Sequence, residues 1–177
     1  MNKETAEFNS CAKLLNNEKI TNAVNEYNYL KNNSKDPFEF MLSMQKELQI
    51  ALFHKNPKVQ NINELNTLGE IADWLRDNKI AFDDEYRETV DALAGMEKSP
   101  KERSALWKKW KANYDTLRSE KFTDLSEDEQ TELKFEICDM FHFFMNMMLS
   151  VNLTAEEMFV YYLYKNKENF DRIKRGY

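Results

Sequence analysis

Apolar residues fall at helical spacing along this chain, and capping signals cut them into separate segments. The opening stretch, roughly Glu4 to Lys31, scatters Phe8, Leu14, Leu15, Ile20, Val24 and Tyr27 and predicts one or two loose helices. Asp36-Pro37 is a start signal, because the carboxylate can cap free amides and proline's missing N–H costs nothing in a first turn. The helix it opens carries Met41, Met44, Leu48 and Leu52 and must stop before Pro57, which disfavours helical dihedrals in the residue ahead of it. Thr67 with Glu70 forms a capping box for a helix containing Ile71 and Leu75. A further helix is expected from about Ala81 to Leu93, closed by Gly95. Ser99-Pro100 opens the next, carrying Leu106, Trp107, Trp110 and Tyr114. Ser126 with Glu129 caps the most apolar helix, and Thr154 with Glu157 caps the last.

Composition strengthens the helical reading. Glycine and proline number three each, whereas methionine numbers nine, a balance that favours helix. A chain of 177 residues with 42% hydrophobic and 32% charged residues suits a single packed domain. The expected fold is therefore all-α, a helical bundle over residues 1–177 with residues 1–35 as a peripheral helical segment. No signal peptide opens the chain, and the longest apolar run, Ile137 to Val151, is interrupted by Asp139, His142, Asn146 and Ser150. A soluble, intracellular protein with no membrane partner is expected.

Charge and the rare residues narrow the chemistry. The net charge of −6 argues against wrapping a nucleic-acid backbone, which takes concentrated positive charge. Gly69, Gly95 and Gly176 are far apart, so neither a Walker loop nor a dinucleotide fingerprint can form. Cys11 and Cys138 lack zinc spacing, and His54 and His142 are too few for a multi-histidine site. If a metal is bound, oxygen ligands must dominate, which points to magnesium or manganese.

One helix is anomalous. Between Ser126 and Val151, Glu136, Asp139, His142 and Asn146 recur at spacings of three, three and four and form one polar stripe on an otherwise fatty helix. That stripe is either the solvent face of an amphipathic helix or a row of metal ligands inside a bundle. Asp83, Asp84, Glu85, Glu88 and Asp91 form a second acidic cluster, in which Glu85 and Glu88 repeat the three-residue spacing of Glu136 and Asp139. Two such pairs on facing helices can surround divalent cations with oxygen, in a four-helix, carboxylate-lined site. A di-iron centre is the competing possibility, but it expects a Glu-x-x-His pair on two helices, and Ala51 stands three residues before His54. Trp107-Lys108-Lys109-Trp110-Lys111 mixes cations with aromatics, and Lys165, Asn169 and Arg172 share one face of the last helix. Such groups are commonplace singly; together with metals they suit a nucleotide polyphosphate.

These segments, taken in order, resemble the all-α nucleoside triphosphate pyrophosphohydrolases, which include the dimeric dUTPases and MazG-like proteins. The carrying stretches are Met44 to Gln49, Asp84 to Glu88, Trp107 to Lys111, Phe135 to Phe143, and Tyr164 to Phe170 continuing through Arg172 to Tyr177. The resemblance implies that Glu85, Glu88, Glu136 and Asp139 hold Mg2+, with Mn2+ a substitute, and that Glu85 orients or deprotonates the attacking water. It implies phosphate contacts from Lys111, Lys165, Asn169 and Arg172, and base and sugar contacts from Gln45, Gln49, His142, Phe143 and Trp107. It further implies a homodimer in the cytoplasm of a phage-infected bacterium, acting on deoxycytidine and deoxyuridine nucleotides, with a phage nucleotide-synthesis complex as a candidate partner. The dimeric dUTPases usually carry Asn where this chain has Gln49, so a phage-type enzyme accepting both cytosine and uracil fits better than a strict dUTPase. A non-catalytic helical scaffold protein is the contrasting possibility.

Overall fold

The computed structural model of the chain describes residues 14–176, which carry seven α-helices and no strand. The expected all-α class is the one they adopt. The part of the opening segment from Glu4 to residue 13 lies outside the described residues.

The caps read from sequence start the helices. Helix α1 (Asn17–Asn32) follows Asn16, whose Oδ1 accepts from the Lys19 amide at 2.8 Å, and Leu30 is its buried residue. Helix α2 (Pro37–Lys55) begins at Asp36, which accepts from the Phe38 amide at 2.7 Å, and ends at Asn56, ahead of Pro57. Its inward stripe is Leu42, Gln45 and Gln49, while Met41, Met44, Leu48 and Leu52 are 41–54% exposed. Two of the three positions this helix buries are thus amides, and its apolar stripe is left outside.

Helix α3 (Leu68–Leu93) starts at the Thr67–Glu70 capping box, with Thr67 Oγ1 accepting from the Glu70 amide at 3.2 Å. It joins the two helices expected around Ile71 and from Ala81 into one. No glycine or proline separates them, and the Asn78 side chain bonds back to the Trp74 carbonyl of its own helix rather than opening a turn. Gly95 ends the element with φ of +93°, a left-handed conformation that a side chain resists.

The helix expected from Ser99 to Tyr114 is shorter than its pattern suggests. Helix α4 (Pro100–Arg103) has its capping box and passes into a 3-10 turn, Ser104–Leu106, that stops at Trp107. The chain resumes helix only at α5 (Tyr114–Ser119). Trp110, which a continued helix would have to bury, is 77% exposed, so no packing supports a longer element. The Leu106 carbonyl accepts from Arg118 Nη1 at 3.1 Å instead. Helix α6 (Glu127–Ser150) and helix α7 (Ala155–Lys174) start at the expected Ser126 and Thr154 caps.

The chain divides into two compact units. Lys79–Phe143, with residues 14–24, forms one of them. Ala94, Ala105 and Leu117 make its core cluster, with Leu106 packed against it. Asn25–Asn78 and residues 144–176 form the other. Leu30, Leu42, Ile62, Trp74, Met145, Met148 and Ala155 are buried there beside Gln45, Gln49, Asn78 and Asn146. In that unit Glu39 of α2 accepts from the Ala155 amide at 3.3 Å, a carboxylate at a helix N-terminus, where the dipole favours it. Among the described residues no helix is long and apolar enough to cross a membrane.

Candidate active site

Glu85, Glu136 and Asp139 converge. One carboxylate oxygen from each lies within 4.8 Å of the others, drawn from α3 and from two positions a turn apart on α6. Beside them, Thr89 Oγ1 lies 2.8 Å from the Glu85 carbonyl and 3.3 Å from Met140 Sδ, tying the two helices at the level of the cluster. Glu88 stands one turn from Glu85 and adds negative charge to the group, though its own oxygens lie outside the closest three.

The electrostatics are those of like charges pressed together. Burial, with the charges of Glu88, Asp139, Glu132 and Glu85, pushes the Glu136 carboxyl up to about 7. Burial first, then Glu88, Asp139 and Asp84, raise Glu85 above the usual carboxylate range. Asp139 is raised by burial and by Glu132, against a lowering from His142. Cys138, the residue before Asp139, has its thiol raised by burial and by the Asp139 charge. Among the described residues no Lys or Arg forms an ion pair with Glu85, Glu136 or Asp139.

This donor set fits a hard divalent cation. Oxygen ligands from three half-buried or buried carboxylates, lacking a basic side chain to offset them, are what magnesium or manganese takes. Zinc and iron sites more often add imidazole or thiolate ligands to their carboxylates.

Glu132 was missed by sequence reasoning. It is buried, stands four residues before Glu136 on the same helical face, and adds negative charge to both Glu136 and Asp139. The signal was its spacing, hidden among the acidic residues that open α6. Trp74 and Asn78, which hold a buried amide network with Asn146, were also missed.

The remaining candidates distribute as follows. Gln45 and Gln49 are buried one turn apart on α2, and Gln45 Nε2 donates to Asn146 Oδ1 at 2.8 Å. Thus Asn146, the last member of the polar stripe on α6, serves an amide network rather than the carboxylate group. His142 and Phe143 are half-buried on α6. Lys111 is half-buried in the segment between Leu106 and α5. Trp107 is 53% exposed, with Lys108 Nζ 4.5 Å from its ring centroid. It borders a cavity of about 710 Å3 whose walls include Tyr86, Val90, Leu106, Arg118 and Phe122. Tyr86 and Val90 lie about 100° or more around α3 from Glu85, so this cavity opens on a face adjoining the carboxylates rather than on their own. Lys165, Asn169 and Arg172 stand at i, i+4 and i+7 on α7, and Arg172 Nε pairs with Glu168 at 3.1 Å.

Comparison with known proteins gives near full-length relatives. The dCTP pyrophosphatase of Enterobacteria phage T4 is 41% identical over 172 residues, which cover 97% of this chain and 99% of that protein. The dCTP pyrophosphatase of Enterobacteria phage LZ5 is 43% identical over 173 residues, with the same two coverages. A phage T4 DNA replication protein is 41% identical over 162 residues, which are 92% of this chain but 41% of that longer protein. No protein-family model matches the chain, and no solved structure does.

Proposed function

The chain belongs to the family of T4-type phage dCTP pyrophosphatases, and from that premise we propose that it hydrolyses dCTP and dUTP to dCMP and dUMP, releasing pyrophosphate. The same site would cleave dCDP and dUDP, releasing phosphate. Identity of 41% and 43% over 97% of the chain carries this conclusion. The carboxylate group of Glu85, Glu136 and Asp139 supports it from the chemistry.

Glu85, Glu88, Glu136 and Asp139 would hold Mg2+, with Mn2+ able to replace it. When bound, such a cation neutralises phosphate charge and acidifies a coordinated water. Glu85 is the group best suited to orient that water or take its proton, since burial and its neighbours raise it toward a base that can hold one. Lys111, Lys165, Asn169 and Arg172 would bind the phosphate oxygens, the two lysines as point charges and Arg172 as a planar fork. Gln45 and Gln49 would read the base, the Phe143 ring would stack on it, and His142 and Trp107 would border base and sugar.

We propose a homodimer as well. Met41, Met44, Leu48 and Leu52 form an exposed apolar stripe along α2, of the kind a second copy would cover. The setting would be the cytoplasm of an infected bacterium, where the enzyme removes dCTP and dUTP from the phage nucleotide pool. A chromatographic panel of ribo- and deoxynucleotides, with and without Mg2+, tests the activity. Magnesium-dependent formation of dCMP and dUMP is expected. Turnover of dUTP alone would move the chain to the strict dUTPases, and no turnover would leave a scaffold.

A further inference from the structure

In the unit formed by Asn25–Asn78 and residues 144–176, buried polar groups make one continuous chain. Asn78 Nδ2 donates to the Trp74 carbonyl at 2.9 Å, and Asn146 Nδ2 donates to Asn78 Oδ1 at 2.8 Å. Gln45 Nε2 then donates to Asn146 Oδ1 at 2.8 Å. Trp74 Nε1 donates to the Asn146 carbonyl at 2.9 Å, so Asn146 is held by backbone and side chain alike. Gln45, Trp74, Asn78 and Asn146 are all more than nine-tenths buried.

An amide can be turned end for end at little steric cost, so only its partners set its direction. Here one end of the chain is a backbone carbonyl, which accepts and never donates. Asn78 must therefore turn its nitrogen to Trp74 and its oxygen to Asn146. Asn146 must give its nitrogen to Asn78 and its oxygen to Gln45, which leaves Gln45 to give its nitrogen. Reversing any one amide would oppose oxygen to oxygen or nitrogen to nitrogen at buried contacts. The direction runs out at Gln45 Oε1, which accepts from no other described residue. Gln49, one turn on and also buried, makes no hydrogen bond to another described residue.

We propose that this relay locks Gln45 with its oxygen toward the base, so that the enzyme favours the exocyclic amine of cytosine over the carbonyl uracil carries at the same ring position. The proposal rests on Gln45 as a base-contacting residue. Asn78 and Asn146 act through it as positioning residues. Gln49 has no partner among the described residues to set its direction and can offer either end, which is how uracil nucleotides remain accepted.

The test is the ratio of dissociation constants for the α,β-imido analogues of dCTP and dUTP with Mg2+, so that no turnover is required. Wild type should bind the cytosine analogue more tightly. Asn78→Leu, which removes the anchor, should shrink that preference by about tenfold, the worth of one hydrogen bond to a correctly directed group. Asn78→Asp keeps an acceptor facing Asn146 and should hold the preference close to wild type, although both variants lose stability. Should Asn78→Leu fail to fold, Asn78→Ser carries the same expectation, because a hydroxyl both donates and accepts and leaves the direction unset.

Gln45→Met separates the two layers. If it abolishes the preference while the Asn78 variants leave it intact, Gln45 reads the base and the relay does not direct it. If Gln45→Met leaves the preference unchanged, or wild type binds neither analogue, the base-contact reading itself fails. A wild-type enzyme that binds both analogues equally overturns the relay proposal outright.

Discussion

Two groups of buried polar side chains sit in this protein, one in each compact unit, and they are solved in opposite ways. The amides of Gln45, Asn78 and Asn146 satisfy one another in a directed chain that ends on a backbone carbonyl. The carboxylates of Glu85, Glu136 and Asp139 gather with no Lys or Arg paired to them among the described residues, and each is raised by burial and like charge. Polar burial is tolerated where hydrogen bonds replace those lost to water. Where charge is buried without a partner, the fold carries strain that an outside cation relieves. Loss of the first group should therefore weigh most on stability, and loss of the second most on turnover, with stability gained.

The largest effect expected is on the carboxylates. Glu136→Gln, or Asp139→Asn, should cut turnover on the order of a thousandfold, since either removes a charge aimed at the reacting phosphate's counter-ion. The same change relieves repulsion, so the metal-free variant should melt above wild type in calorimetry. A variant with near-native turnover, or one melting well below wild type, would show that the group is structural.

Asn146→Ala should do the reverse. It leaves Gln45 Nε2 and Asn78 Oδ1 buried and unpaired and opens a cavity, a loss on the order of 3 kcal/mol by urea denaturation. Magnesium affinity, measured by calorimetry on the folded variant, should stay within a factor of two or so of wild type, as for independent sites. A large fall in metal affinity would mean that the two groups are coupled through α6, which carries members of both.

The sequence made one of these groups far more legible than the other. Glu85, Glu88, Glu136 and Asp139 stand out because three-residue spacing on a helix is local and places them on a common face without knowledge of the fold. The caps at Asp36, Thr67, Ser99, Ser126 and Thr154 are local for the same reason, and they form as expected. The relay joins residues 68 and 101 positions apart, and nothing near Asn78 in the chain distinguishes it from any helical asparagine. The inward face of α2 was hidden likewise. Its methionine and leucine stripe is the stronger pattern, yet Gln45 and Gln49 are what the unit buries. The break at Trp107 came from missing packing partners, which no local periodicity reveals.

The smallest effect is the most discriminating for the carboxylates. Glu136 titrates near 4.5 when unfolded and near 7 in the fold, so its neutral form is the one the fold prefers. The stability it lends the metal-free protein is complete below about pH 4.5 and is lost as pH rises through about 7. Melting temperature of the metal-free protein should thus fall across that window, whereas saturating Mg2+, which binds the ionised form, should abolish the fall and release protons on binding. The charges acting on Glu136 rank with Glu88 ahead of Glu132. Glu88→Gln should therefore move the midpoint of the transition downward further than Glu132→Gln does, with both variants still folded. Equal shifts, or a larger one from Glu132→Gln, would place the dominant charge on α6 itself rather than across on α3.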